Sequence, residues 1–405
     1  MKKRTVLNII SESYPFGRGE QFFDIEIKEL SKYFDEIRLF PLTIKSNKRA
    51  IPENVSVNLS LSQYNRVVSK LFILQNIYSI LRVYLYEFRS APQRKILVKN
   101  AKLFIERISQ NLVLAKKFEA EIDENLNLNF FYSFWMNDGA LLLSLLKSKG
   151  KINSFFFRVN GFDLFNERHE GNYLPFRHFI YKNVSRIFVL SKGALDYLIK
   201  LNIYQEKLIL VRNGVYEKGL NPFSPASKIA NIVSCSNVIS LKRIDKIIEA
   251  LKLVDDRVVC WTHFGDGELL DDIKSRAKTL PSNISTIFKG SVEHGLILKH
   301  YNTEPVNLFI HTSESEGLGL AIIEAQSFGI PAVVIGVGGV VDIVNEQTGI
   351  VLQPDTTNLE ISESIRKVLD GPMNNDSYRK IIQKKCLTTF DVNFNYRKLY
   401  QLITK

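Results

Sequence analysis

Two carboxylates, Glu316 and Glu324, flank the turn in EGLGLAIIEAQSFGIPAVVIGVGG. VNLFIHT reads as a strand, SESEGLG as a loop and LAIIEAQSFG as a helix. Glycines in the loop let backbone approach a ligand closely. Free N–H groups around Leu318 to Ala321 would form an anion-binding helix start, aided by the helix dipole. Glu316 precedes that start and can reach a group beside the anion. Glu324 lies about one and a half turns inside the helix, roughly 6–9 Å further along its axis. It can accept hydrogen bonds from hydroxyls on the anion's other side. A sugar, a diphosphate and a ribose in a row have this layout. Spacing alone favours a plain loop charge for Glu316 and an exposed helix carboxylate for Glu324.

Similar strand ends occur elsewhere. SCSNVISLKRIDKIIEAL puts Lys242 and Arg243 at a helix start, where either can neutralise a diphosphate or simply be solvated. IFKGSV, with Lys289 and Gly290, can set backbone against a base. HFGDGELLDDI carries His263, a residue better suited to structure than to catalysis. GVGGVVDIV offers flexible backbone or a plain turn. Near the start, YPFGRGEQFF places Gly17 and Gly19 after the first strand, without the three spaced glycines of a dinucleotide fingerprint. FRVNGFDLF sets Asn160, Gly161 and Asp163 at another strand end, and YSFWMNDG sets Trp135 and Asn137 at a third.

These loops need a scaffold of alternating strands and helices. Candidate strands are TVLNIIS, EIRLFPL, NFFYSF, SFFFRVN, RIFVLS and KLILVRN, then IANIVSCSN, VVCWTHFG, ISTIFKG, VNLFIHT, AVVIGV and GIVLQP. Such alternation implies parallel sheets wound by right-handed crossovers. The turn-rich NGVYEKGLNPFSPASK divides the two sets. The expected fold is α/β: two Rossmann-like doubly wound domains facing across a cleft. The expected domains are 1–218 and 219–390, with a last helix in 391–405 returning to the first. Ligands of such sheets bind at the carboxyl ends of strands.

The 405 residues exceed what one core usually organises, and 45% hydrophobic with 24% charged residues excludes a disordered or collagen-like chain. Cys235, Cys260 and Cys386 suit buried free thiols. MKKRTVLNIISESYP reads as a first strand rather than a signal peptide. No apolar run approaches the roughly 20 residues of a spanning helix, so a soluble, cytoplasmic protein is expected. Net charge is +12. Basic residues between Arg66 and Lys117 are interleaved with apolar ones at helical spacing. That pattern suits a core-packing helix with a solvated face; docking on an anionic inner membrane is the alternative. No nucleic-acid module is visible.

Together these segments resemble the retaining, nucleotide-sugar-dependent glycosyltransferases of the GT-B fold, specifically family four. The resemblance runs from FGRGEQF to TGIVLQP and is weakest over 45–125. Its strongest motif is Glu316-x7-Glu324 followed by EAQSFGIPAVV and GVGG. SCSNVISLKRID, HFGDGE, FKGSV and VRNGV resemble further family segments in order. YSFWMNDGALLLSLL and FRVNGFDLFNERHEGNYLPFR resemble a branch that builds bacterial exopolysaccharide, capsule or lipopolysaccharide.

The resemblance implies roles. Glu316 would contact donor-sugar hydroxyls, Glu324 the ribose and Lys242 the diphosphate. Main-chain N–H groups of Gly319 and Leu320 would lie near the leaving phosphate or sugar, and Gly17 and Gly19 would leave room for the donor. Asn237 stands where the family often has Arg, a charge that Arg243 can supply from another direction. Asn160 stands where a His is common; it keeps hydrogen-bonding groups but cannot become cationic. Asp342 replaces a frequent Glu. The function implied is transfer of a hexosyl group, with retention and without an essential metal or cofactor. The donor would be a UDP-, GDP- or ADP-sugar and the acceptor a saccharide, lipid-linked by expectation. Rival readings are a degenerate nucleotide-sugar-binding protein and a GT-B synthase or epimerase acting on soluble sugars.

Overall fold

The computed structural model describes residues 4–17, 20–63, 68–122, 127–223 and 227–405. The chain divides into two compact units. The first holds Met1–Leu190, Leu195–Val211 and Tyr396–Lys405; the second holds Ser191–Ala194 and Arg212–Asn395.

The first unit is built on seven strands: β1 (Arg4–Ser11), β2 (Glu36–Pro41), β3 (Val55–Val57), β4 (Asn127–Ser133), β5 (Phe156–Val159), β6 (Arg186–Val189) and β7 (Leu208–Leu210). Their order is β3-β2-β1-β4-β5-β6-β7, with every pairing parallel. The second unit has six: β8 (Ile229–Cys235), β9 (Val258–Phe264), β10 (Ile284–Gly290), β11 (Leu308–His311), β12 (Ala332–Ile335) and β13 (Gly349–Leu352). Their order is β10-β9-β8-β11-β12-β13, again all parallel. The expected pair of parallel α/β sheets is therefore present.

Burial explains the strand compositions. Every residue of FFRV in β5, LFIH in β11 and AVVI in β12 is buried, because helices cover both faces of a parallel sheet. The edge strand β10 instead alternates more and less exposed residues along ISTIFKG. Trp261, Ile247, Ile248, Ile310 and Ile365 belong to one buried cluster of the second unit. In the first unit, Arg158 and Glu26 are both buried and paired at 2.7 Å, with Tyr132 donating to Glu26 at 2.8 Å.

The turn-rich segment expected as a linker is fastened to the second unit. Asn221 is buried; its amide donates to the carbonyls of Tyr301 (2.6 Å) and Glu304 (2.8 Å), and its oxygen accepts from Val306 N–H at 2.9 Å. Among the described residues no helix is long and apolar enough to cross a membrane.

Candidate functional site

Each sheet has one place where the strand order reverses direction. In the second unit it lies between β8 and β11, the position at which doubly wound sheets as a class bind ligands beyond the strands' carboxyl ends. Lys242 ends a short 3-10 turn after β8, and Glu316 stands in the loop after β11. Polar side chains lace the two loops together. Thr312 Oγ1 donates to the carbonyls of Lys242 (3.1 Å) and Arg243 (2.8 Å), and Glu314 N–H donates to Leu241 O at 2.9 Å.

The lacing sets Lys242 Nζ on Glu316 Oε1. His311, the last residue of β11, donates from Nε2 to the same oxygen at 2.8 Å. The three side chains are mostly buried. Burial alone would raise the Glu316 pKa. The hydrogen bond and charge of His311, with the charge and hydrogen bond of Lys242, outweigh it and hold the carboxyl well below the usual carboxylate range. The site thus keeps a desolvated anion and a cation in contact at neutral pH.

The GVGG segment is a buttress to this loop. Gly338 has φ 53°, and a Cβ there would stand 1.8 Å from Glu316 O. A Cβ on Gly339 would meet Gly317 O at 2.5 Å. Ser191 Oγ also donates to Gly317 O at 2.9 Å. Close backbone contact, rather than flexibility, is what these glycines provide.

Gly319 has φ 97°, which suits its glycine, and it precedes the helix Leu320–Gln326. Among the described residues the N–H groups of Gly319 and Leu320 have no protein acceptor. Glu324, on that helix, is held by His294 Nε2 at 2.7 Å. Cys235, at the end of β8, feels both ends of the constellation. Its thiol is pushed up to about 12, first by burial and then by Glu324, with Lys242 opposing. Lys218 is also in the field of Glu324: burial lowers its pKa and the carboxylate opposes that.

The other expected donor-site residues are placed as follows. Arg243 is engaged by Glu314 and Asp245, not by Glu316. Asn237 and Lys289 are exposed. Gly290, at φ 65°, has open space where a Cβ would be, and its carbonyl accepts from Gly265 N–H at 2.9 Å. His263 is buried against Ser234 at 2.8 Å, and burial pushes its pKa down to about 4, a structural role. Asp342 accepts from Lys192 N–H at 2.6 Å and pairs with Arg212 at 3.3 Å.

Asn160 and Gly17 belong to the first unit, and Gly19 lies outside the described residues. Gly17 has φ 72°, and its N–H donates to Ser46 O at 3.1 Å. Asn160 is buried in a capping box with Asp163, whose carboxylate takes the Asn160 N–H at 2.6 Å and the Met136 N–H at 2.7 Å. Asp163 therefore joins the loop after β4 to the loop after β5. Burial raises its pKa to about 7 against those hydrogen bonds.

The first sheet reverses between β1 and β4. There the first unit has a cavity of about 570 Å³, walled by Glu12 and Glu20 after β1, Trp135 and Asp138 after β4, and Phe162 and Asp163 after β5. Glu20 accepts from Tyr14 N–H (2.6 Å), Ser13 N–H (2.7 Å) and the Trp135 indole (2.6 Å), which fixes the tryptophan. Phe162 is 65% exposed. Aromatic faces beside carboxylates match the two sides of a sugar ring, its C–H face and its hydroxyls.

His311 and His294, which hold the two acids, were not legible as site residues. His311 had a signal, being the last residue of a strand whose following loop carries Glu316. His294 had none, standing thirty positions from Glu324.

Residues 222–385 match the family model described as Glycosyl transferases group 1. A stretch of 117 residues is 32% identical to sulfoquinovosyl transferase SQD2 of Arabidopsis thaliana. It covers 27% of this chain and 22% of that protein, so the chain spans about a fifth of the length of the curated relative it matches. Among solved structures, the apo form of the lipopolysaccharide outer core galactosyltransferase WaaB is similar at TM-score 0.68 and 14% identity, covering 99% of this chain and 100% of that one. Anabaena Alr3699/HepE in complex with UDP and glucose is similar at TM-score 0.69 and 14% identity, covering 98% and 99%. At that identity the likeness speaks to fold. The region holding Lys242, Glu316 and Glu324 thus matches the group 1 glycosyl transferases, within a chain that has the two-sheet GT-B fold.

Proposed function

We propose that the chain is a retaining hexosyltransferase that moves a sugar from a nucleoside-diphosphate sugar to a saccharide acceptor carried on a lipid. The observation that carries this reading is the contact of Lys242 with the His311-held carboxylate of Glu316 at the second sheet's switch point. A diphosphate leaving group needs charge neutralisation. Lys242 supplies a cation, and the unpaired N–H groups of Gly319 and Leu320 supply hydrogen bonds. Glu316 accepts from sugar hydroxyls and Glu324 from the ribose, displacing His294. The bond from the anomeric carbon to phosphate breaks as the bond to the acceptor oxygen forms. The acceptor's proton passes to the departing phosphate on the same face, so no strong protein base is needed. The acid-lined cavity of the first unit takes the acceptor saccharide.

Neighbouring structures support the donor class: one solved relative holds UDP and glucose. The candidate donors are UDP-, GDP- and ADP-sugars. The test is a thermal-shift panel of those donors, followed by NMR of the product made with the stabilising one and a soluble saccharide. Ligand at one hundred times its Kd stabilises by about 2.7 kcal/mol, readily seen as a rise in melting temperature. The expected product keeps the donor's anomeric configuration, and chelator leaves the rate unchanged. An inverted linkage would refute retention, and no stabilisation by any donor would refute the site.

A further inference from the structure

The helices Lys70–Gln75 and Ile77–Ser90 present apolar side chains to solvent in a pattern that core packing does not use. Leu71, Leu74, Tyr78, Leu81 and Leu85 recur at alternating steps of three and four residues, the spacing of one helix face. All five are exposed, Tyr78 at 78%. The second helix has already met the demands of its core through another face, where Ile80, Val83 and Glu87 are buried. At about 100° per residue, Tyr78, Leu81 and Leu85 point roughly opposite to those three. Tyr173 donates to Glu87 Oε1 at 2.7 Å and Phe179 N–H to Oε2 at 3.0 Å, so the inner face is fixed. The outer stripe is thus a second apolar surface on an anchored helix, and an exposed surface of this kind marks an interaction site.

Charge selects the partner. From residue 68 to 106 the chain has seven Lys or Arg and two acids, Glu87 and Glu106. The seven cations are exposed; Glu87 is spent on the core, and Glu106 lies 3.9 Å from Lys102. Arg82 and Arg89 lie beside the stripe. Two copies meeting through this face would bring Arg82 and Arg89 of one copy against those of the other. A layer of lipid phosphates answers all of them while its acyl region takes the leucines, and Tyr78 suits the boundary between the two. We propose that this face docks the first unit on an anionic phospholipid bilayer. The surface does not depend on the transfer reaction, and its test contains no nucleotide or sugar.

Sedimentation with vesicles decides it. The probe is phosphatidylcholine alone against phosphatidylcholine with roughly one-third phosphatidylglycerol. The wild-type chain should sediment with the anionic vesicles at least about tenfold more strongly than with the neutral ones. The triple variant L74E/Y78E/L81E should lose that binding while its melting temperature and far-ultraviolet spectrum hold, because all three positions are exposed. Arg82→Glu with Arg89→Glu leaves the apolar stripe intact and should lose the preference for anionic lipid, an arm that survives if the triple variant misfolds. Wild-type protein left in the supernatant with both vesicles overturns the proposal, as does equal binding to both. Light scattering that shows a wild-type dimer, split by the triple variant and blind to vesicles, would give the face to a second copy and also overturn it.

Discussion

Glu316 is a mostly buried carboxylate shared between a lysine and a histidine, and the division of labour between those partners makes Lys242 testable. Removing Lys242 leaves Glu316 with the 2.8 Å bond from His311, so the loop keeps one anchor. The lacing by Thr312 runs through the main-chain carbonyls of Lys242 and Arg243 and survives any side-chain change there. Lys242→Ala should therefore slow transfer by about 10²-fold or more, as loss of a charge-stabilising group does, with little change in melting temperature. Glu324→Ala should act on binding instead, raising the nucleotide Kd about tenfold through the loss of a charged hydrogen bond. Calorimetric titration and turnover separate the two, and wild-type values for both variants would remove the site assignment. The held-down pKa of Glu316 adds a sign. Its folded-state pKa lies below the unfolded one, so its ion pairs contribute above the ordinary glutamate range and are lost only as pH falls through strong acid.

At the scale of elements, the helix Ile77–Ser90 carries a pH dependence of the opposite sense. Burial raises the Glu87 pKa to about 7, against the hydrogen bonds of Tyr173 and of the Phe179 main chain. The folded state then holds a proton that the unfolded chain releases nearer pH 4.5, so stability falls as pH rises between those values. Glu87→Gln should flatten that fall, because Gln can accept from Phe179 N–H while its amide donates to the Tyr173 oxygen, which rotates to accept. Melting curves from about pH 5 to pH 8 check this; an unaltered slope would show that other groups, Asp163 among them, carry the dependence. The same helix shows where sequence legibility stops. Twelve of the thirteen strands among the described residues stand out as apolar runs, since both faces of a parallel sheet are buried. The missed one, β3, has only the three residues VSV. In Ile77–Ser90 apolar residues occupy both the buried face and the exposed stripe, so periodicity alone could not say which faces inward. The site divides in the same way. The Glu316 and Glu324 spacing is local to one loop and helix and was readable. The pairing of Glu316 with Lys242, across 74 positions, is set by the strand order β8-β11 and exists only after folding.

At the scale of the whole molecule, the chain's path makes the stability of one unit depend on its last residues. The helix Val392–Thr404 begins among residues of the second unit, while Tyr396–Lys405 belong to the first. Asn395, in the second unit, donates to Asn213 O at 2.9 Å; a few residues on, Tyr400 stacks on Tyr33 at 4.9 Å between ring centroids. Tyr396, Leu399 and Ile403 are buried. Burying each such side chain stabilises by about 2 kcal/mol, so roughly 6 kcal/mol rests on three residues. That is comparable with the whole stability of an ordinary domain, about 5–15 kcal/mol. A chain ending at Asn395 should therefore lose protection in the first sheet and keep it in the second. Hydrogen exchange reads the two separately: amides of β1 and β4 should exchange much faster, those of β8 and β11 at the full-length rate. Nucleotide binding at Lys242, Glu316 and Glu324 should persist in the shortened chain while transfer fails. Faster exchange in both sheets would mean that the two units unfold as one, and unchanged exchange in β1 would mean that the terminal helix contributes nothing to the unit it joins.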